Sequence, residues 1–239
     1  GKTFDIHGGG MDLVFPHHEA EIAQSNACNN CNPVNYWMHN NMITVDGKKM
    51  GKSLGNFITL EEFFTGNHSK LEKSYSPMTI RFFILQAHYR STIDFGNEAL
   101  QAAEKGVSKL MSAMETLQTL APSKSSTYNV NELKNKCYSA MDDDFNTPIL
   151  IAHLFDGVRI INSVKDGKES LSSNDLEKLK ILFNTFVTDI LGLIPAKENT
   201  DNDLTSEVMT LVLKLRENAK SNKDFATADL IREELNKLN

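Results

Sequence analysis

The sequence predicts an α/β segment that passes into a purely helical bundle, and three features predict it. Thr3-Phe4-Asp5-Ile6-His7 is a strand-like run meeting Gly8-Gly9-Gly10, as at the carboxyl edge of an α/β sheet, where ligands sit. Met42-Ile43-Thr44-Val45 is a second strand-like run, closed by an Asp46-Gly47 turn and followed by a lysine-rich loop. From Asn97 onward, Leu100, Ala103, Val107, Leu110, Met114 and Leu117 step by three or four, the spacing of one apolar helical stripe.

Each element follows from period and punctuation. The strand over 3–7 is expected to end in a triple-glycine turn. Pro16 suits a first helical position, and His17 to Ala27 contains no breaker, so a helix is expected there. Residues 36–45 carry strand formers. Leu60-Glu61-Glu62-Phe63-Phe64 reads as a short helix, and Pro77 opens a longer one through about His88. Pro122 to Asn129 is a Ser/Thr-rich loop. Helices are expected at 130–141, 147–165, 172–191, 204–220 and 223–237, with breaks at Asp166-Gly167, at Pro195 and around Ser221-Asn222. Asn146 or Thr147 caps the helix that Pro148 opens. The Met and Leu stripes are read as core.

Composition narrows the class without naming a function. The 239 residues suffice for one large or two medium domains with real cores. Hydrophobic content is 40% and no apolar run approaches the ~20 residues of a membrane span, so a cytoplasmic enzyme without a membrane partner is expected. Net charge is −6, so any RNA contact must use a local basic patch. Three cysteines, an odd number, argue against a disulfide framework. Gly1 leads at once into a strand, and Glu233 to Asn239 finish in or just after a helix, so a fragment is expected. Oligomeric state stays open, although an unpaired sheet edge favours self-association.

Chemistry concentrates before residue 56. In Lys49-Met50-Gly51-Lys52-Ser53-Leu54-Gly55-Asn56, two ammonium groups and free backbone N–H donors suit a polyphosphate; the same run also describes a solvated hairpin tip. His17 and Glu21, four apart on a helix, share one face. They are either zinc ligands or a hydrogen-bonded pair. His18-Glu19 followed by Ile22 four residues after His18 excludes the zinc-protease spacing. Cys28-Asn29-Asn30-Cys31 has no second CxxC partner. A helix from His17 to Cys28 puts them ~16 Å apart, too far for one zinc, so these read as surface thiols. His7, Gly8, Gly9, Gly10 and Asp12 form either a strand-to-helix turn or a nucleotide site with Asp12 on ribose hydroxyls.

These blocks resemble class I aminoacyl-tRNA synthetases, and among them the cysteinyl-tRNA synthetases. The loop at 49–53 is similar to the KMSKS signature, and Phe4 to Glu21 to the HGGG-x-D-L-x-FPHHE block; Tyr36-Trp37-Met38-His39 follows in the same order. Arg81-Phe82-Phe83 and His88-Tyr89-Arg90-Ser91 resemble the stem-contact region, and Asp143-Asp144-Phe145-Asn146-Thr147-Pro148 the helical domain. Gly51 stands where the family usually has Ser, which implies a looser phosphate grip.

The resemblance implies a fold and a set of roles. The fold is an α/β remnant of a Rossmann-type catalytic domain over 1–45, then a stem-contact region over 46–95, a helical bundle over 96–195, and the start of an anticodon-binding region over 196–239. The upstream half, with its HIGH signature, and the last anticodon-reading segment are expected to be missing. The implied activity is ATP-dependent attachment of cysteine to tRNA(Cys) through cysteinyl-adenylate, with Mg²⁺ carried by ATP. Lys52, and secondarily Lys49, are the implied catalytic cations. Gly9, Gly10, Asp12 and His7 hold the adenylate, Ile43 and Thr44 face adenine, and His7 with His18 line the amino-acid pocket. His17 and Glu21 are two of four Zn²⁺ ligands, the other two being cysteines upstream. On this reading 12, 17, 21 and 52 share one cleft, and the fragment alone binds zinc weakly and makes no adenylate. Arg81 to Arg90, Lys134, Lys136, Lys165 and Lys168 are candidate tRNA contacts. The alternatives are a cysteine ligase of the mycothiol-synthesis type and a non-catalytic RNA-binding fragment.

Overall fold

The structure, a computed structural model, describes residues 2–195, 200–221 and 224–237. It divides into two compact units, Gly1–Ile194 and Pro195–Asn239. In the first unit, β1 (Phe4–Gly10) pairs in parallel with β2 (Val34–Asn40). The strand expected to stop at His7 runs on through its glycines, because Gly8, Gly9 and Gly10 pair with Met38, His39 and Asn40. Ladder pairing overrides the turn preference of glycine, and the chain turns instead at Met11–Leu13. A kinked segment over Val14–His18 follows, in which Phe15 is extended (φ −131°, ψ 132°) ahead of a cis Phe15–Pro16 bond, and it leads into α1 (Glu19–Asn29).

Residues 36–45 are two strands in two sheets. β3 (Ile43–Val45) lies between antiparallel β4 (Lys48–Lys49) and parallel β5 (Ile93–Phe95). The partner changes at Asn41-Met42, where Asn41 N–H donates to Tyr89 O and Met42 O accepts from Ile93 N–H. Asp46 (φ 52°) and Gly47 (φ 73°) supply the two left-handed residues of a tight hairpin. α2 (Leu60–Thr65) starts on a Thr59–Glu62 capping box. α3 (Pro77–Leu85) is capped by Ser76 and ends three residues before the expected His88, where Gln86 N–H turns onto Phe82 O and Phe83 O.

Four helices complete this unit: α4 (Asn97–Thr119), α5 (Val130–Asp142), α6 (Thr147–Lys165) and α7 (Ser173–Phe183). The last continues as π-helical turns over Asn184–Ile190, so the run expected at 172–191 is helical almost throughout. Leu100, Ala103, Val107, Leu110 and Leu117 of the α4 stripe are buried, and Met114 packs partly buried beside them. One core joins the β3–β5 sheet to the bundle, from Val45, Phe63 and Phe95 through Phe82 to Leu154, Leu179 and Phe186. The lysine-rich loop after β3 therefore stands on this core, with Met50 and Ile43 packed against it.

The β1–α1–β2 layer lies outside that core. Among residues 2–40 only His18 and Val34 are buried, while Phe15 (77%) and Tyr36 (70%) are exposed. Parallel sheets are normally covered on both faces, so this is an apolar surface open to a further element. In the second unit, α8 (Thr200–Ser221) and α9 (Phe225–Lys237) pack together, with Ala228 buried. The start expected at 204 moves to Thr200, and α8 ends at Ser221, where the break was expected; Asn222 and the helix start expected at 223 lie outside the described residues, and α9 runs from Phe225.

Candidate active site

The parallel register sets up the first cluster. His7 faces Trp37 and Gly9 faces His39, so these four positions share one face of the β1–β2 ladder. His18, from the turn before α1, lies over the gap at Gly9. A Cβ at Gly9 would stand 2.8 Å from His18 Cε1 and 3.0 Å from Leu13 Cδ1, so the missing side chain is what admits the imidazole. His18 is 5% exposed and its Nδ1 lies 2.8 Å from His39 Nε2. His7 Nε2 lies 2.9 Å from Glu21 Oε2. Trp37 packs its indole against His7 and His18 at 4.9 and 4.8 Å between ring centres, and stacks on His39. Burial, and then the neighbouring His18, Arg90 and His7, hold His39 below the usual histidine range.

The second cluster is a cleft of about 320 Å³ lined by Gly10, Met11, Asp12, Asn40, Asn41, Met42, Ile43, Lys49 and Met50. It brings the loop after β1 against the signature loop. A side chain at Gly10 would collide with the Asp12 carboxylate, so glycine there leaves the carboxylate its place at the cleft. The hairpin behind Lys49 is held by Asp94, whose Oδ1 accepts from Thr44 Oγ1 (2.6 Å) and Gly47 N–H (2.9 Å). Those two bonds, the hydroxyl's first, hold Asp94 below the usual carboxylate range. The opposite wall is braced from the bundle. Asn41 donates to Tyr89 O and, through Nδ2, to Arg90 O, while Tyr89 Oη and Arg90 Nε both bond Asp144 at 2.7 Å.

The structure divides the expected single constellation in two. Asp12, Gly10 and Ile43 line the cleft together with Lys49, whereas the Lys52 ammonium sits 5.5 Å from the centre of the Phe57 ring. Thr44 is buried behind the hairpin with its hydroxyl on Asp94. Gly51 and Ser53 lie in the loop itself, Gly51 just before the short turn Lys52–Leu54 and Ser53 exposed within it. Glu21 gathers with His7 and His18, their ligating atoms within 4.8 Å of one another, while His17 is exposed and outside that set. Cys28 is exposed and Cys31 half-buried, away from both clusters' contacts.

Of the candidate RNA contacts, Arg81 caps Leu191 O at 2.7 Å, Arg90 is paired with Asp144, Lys136 with Glu132 and Lys168 with Asp166. Lys134 lies over Tyr138, and Lys165 has no ion pair among the described residues. Trp37 and His39 carry no role in the residue-by-residue reading. Their period-two spacing on a strand opposite His7 and Gly9 was the available signal. Nothing local in the sequence marks Asn56 or Asn41.

Comparison with known proteins shows what the chain is similar to. Residues 1–105 match the family described as tRNA synthetases class I (C) catalytic domain, and residues 136–195 match the DALR domain. A cysteine–tRNA ligase of Parabacteroides distasonis is 60% identical over 98% of this chain and 48% of its own length. One of Bacteroides fragilis is 58% identical over 100% of this chain and 49% of its length. The chain thus spans about half the length of the curated relatives it matches. The fold is similar to that of LeuRS in an Agrobacterium radiobacter K84 LeuRS–tRNA–LeuAMS complex, with a TM-score of 0.55 at 16% identity over 78% of this chain and 26% of that one. Residues 1–105 therefore belong to the class I (C) tRNA synthetase catalytic-domain family and residues 136–195 to the DALR family, within a chain akin throughout to cysteine–tRNA ligases.

Proposed function

We propose that this chain is the signature-loop and helical part of an enzyme that joins cysteine to tRNA(Cys) with ATP. The observation that carries the reading is the single cleft shared by Gly10, Asp12, Ile43 and Lys49. Adenine would lie along the Ile43-Thr44 backbone. The ribose would sit on Gly9-Gly10, its hydroxyls donating to the Asp12 carboxylate. The phosphates, with Mg²⁺ carried by ATP, would point towards Lys49, with Lys52 reaching in once it leaves Phe57.

The chemistry is two displacements. A cysteine carboxylate oxygen attacks the α-phosphorus as the bond to pyrophosphate breaks, giving a mixed anhydride. A ribose hydroxyl of the tRNA's terminal adenosine then attacks the acyl carbonyl, and AMP leaves. Positioning and charge stabilisation dominate such steps, so the lysines act by neutralising the departing pyrophosphate. His7 and His18 would line the amino-acid pocket. Two imidazoles and a carboxylate converging at Glu21 fit a zinc ion by donor chemistry and spacing. His17, one turn before Glu21, becomes a ligand only by swinging inward from its exposed position. Zinc there would bind thiolate strongly and hydroxyl weakly, separating cysteine from serine. A cytoplasmic location accords with this role; no helix among the described residues is long and apolar enough to cross a membrane.

Titration calorimetry tests the reading. ATP is expected to bind more tightly than adenosine, with Asp12→Asn weakening both and Lys49→Met weakening ATP alone. Equal affinity for ATP and adenosine refutes the placement of phosphates at Lys49. tRNA(Cys) is expected to bind weakly at low salt and to dissociate steeply as salt rises; salt-insensitive binding counts against it.

A further inference from the structure

The loop that carries Lys49 is closed on itself by one side chain with no role assigned above. Asn56, 9% exposed, sits at the far end of the loop. Its Oδ1 accepts from Gly51 N–H at 3.0 Å and its Nδ2 donates to Lys49 O at 3.0 Å. Between these anchors the chain makes a short turn, with Leu54 N–H on Gly51 O and Gly55 N–H on Lys52 O. Gly55, at φ 66°, turns the backbone so that Asn56 faces the start of the loop. On the other side Met50 N–H donates to Ile43 O. The Lys49 backbone is thus held between β3 and the Asn56 amide, and Lys49 is one of the residues lining the cleft.

We propose that Asn56 is a positioning residue: by clamping Lys49 O and Gly51 N–H it sets where the Lys49 ammonium meets a nucleotide phosphate. The proposal rests on the reading that the cleft takes ATP. One planar amide supplies the required donor and acceptor together; aspartate supplies only the acceptor, and glutamine carries the amide a methylene too far. Fixing the backbone end of a long, flexible side chain is preorganisation: it lowers the ordering cost of binding without adding a contact. The clamp also lies where Gly51 would otherwise loosen the loop.

The test is a cycle of Asn56→Ala, Lys49→Met and the double variant in the intact chain, titrated with ATP and with adenosine. Asn56→Ala is expected to weaken ATP roughly ten-fold, the scale of one charge-assisted contact, and to leave adenosine binding unchanged. In the Lys49→Met background the same substitution is expected to be silent, because Asn56 acts through Lys49. Amide exchange at Gly51 is expected to be slow in the parent chain and fast in Asn56→Ala. An equal loss of ATP and adenosine, or a full effect without Lys49, overturns the proposal and makes Asn56 merely structural. A parent chain that binds neither ligand refutes the nucleotide reading and with it the role of the clamp. A parent chain that binds ATP through Lys49 while Gly51 exchanges freely refutes the clamp alone.

Discussion

Replacing Gly9 by alanine separates the histidine cluster from the rest of the molecule. The new Cβ would stand 2.8 Å from His18 Cε1 and 3.3 Å from His18 Nε2. His18 is buried and bonded to His39, so it cannot move aside freely. Overpacking of this kind costs about 1–3 kcal/mol, and a broken imidazole–imidazole bond adds about 1 kcal/mol. Gly8→Ala is the internal control. Its Cβ would meet only Met38 O, at 3.6 Å, and its φ lies outside the left-handed region. Alanine there is expected to be neutral or to stabilise by about 0.4–1 kcal/mol through the unfolded chain.

The assay is built into the chain. Trp37 is the one tryptophan in the sequence, and it packs on His7, His18 and His39. Its fluorescence in urea therefore follows this layer, while far-ultraviolet circular dichroism follows the bundle. Gly9→Ala is expected to lower the Trp37 midpoint by about 1 M, given slopes of about 1–3 kcal/mol per molar urea, and to leave the helical signal in place. Equal Trp37 midpoints for Gly8→Ala and Gly9→Ala refute the steric argument. A parallel loss of the bundle signal refutes the separation of layers.

Three further outcomes are expected. Zinc should change Trp37 fluorescence, and Glu21→Gln should abolish the change; His17→Ala against His18→Ala then shows which imidazole serves, and a Trp37 signal blind to zinc refutes a site in this cluster. Asp94 titrates below its unfolded value, so its stabilisation is complete above the unfolded pKa of about 3.9 and is lost as pH falls through the folded one. Asp94→Asn should therefore weaken the chain at neutral pH and remove part of its acid sensitivity; an unchanged acid limb counts against the Thr44–Gly47 clasp. Burial pushes the Cys137 thiol up to about 12, so a thiol reagent at pH 8 should modify exposed Cys28 and spare Cys137 until unfolding, as read by peptide mass. Prompt labelling of Cys137 refutes its burial.

Much of the architecture is local, and local signals carried it. The α4 stripe, the Asn146 cap with Pro148 and the Asp46-Gly47 turn each rest on residues within a turn or two of one another, and period and capping chemistry speak directly to them. The misplaced boundaries have long-range causes. Gly8, Gly9 and Gly10 look like a turn until Met38, His39 and Asn40 pair with them. Residues 36–45 look like one strand until Tyr89 and Ile93 divide it between two sheets.

The site shows the same boundary. Residue types and spacing along the chain singled out Asp12, Lys49 and Glu21 only as candidates with open alternatives, and it was the resemblance of the contiguous motifs to class I synthetases that gave them roles. Which groups meet was decided by tertiary structure alone. Lys49 rather than Lys52 reaches the Asp12 cleft because the Asn56 amide and the β3 carbonyl of Ile43 pin the loop at its start, and Lys52 turns onto Phe57. His18 rather than His17 joins Glu21: the bare backbone of Gly9 on β1 leaves room for the His18 imidazole, while His17 faces outward and is exposed. Such outcomes depend on the volume and hydrogen-bonding groups that distant segments bring to one place, and a linear string does not encode that adjacency.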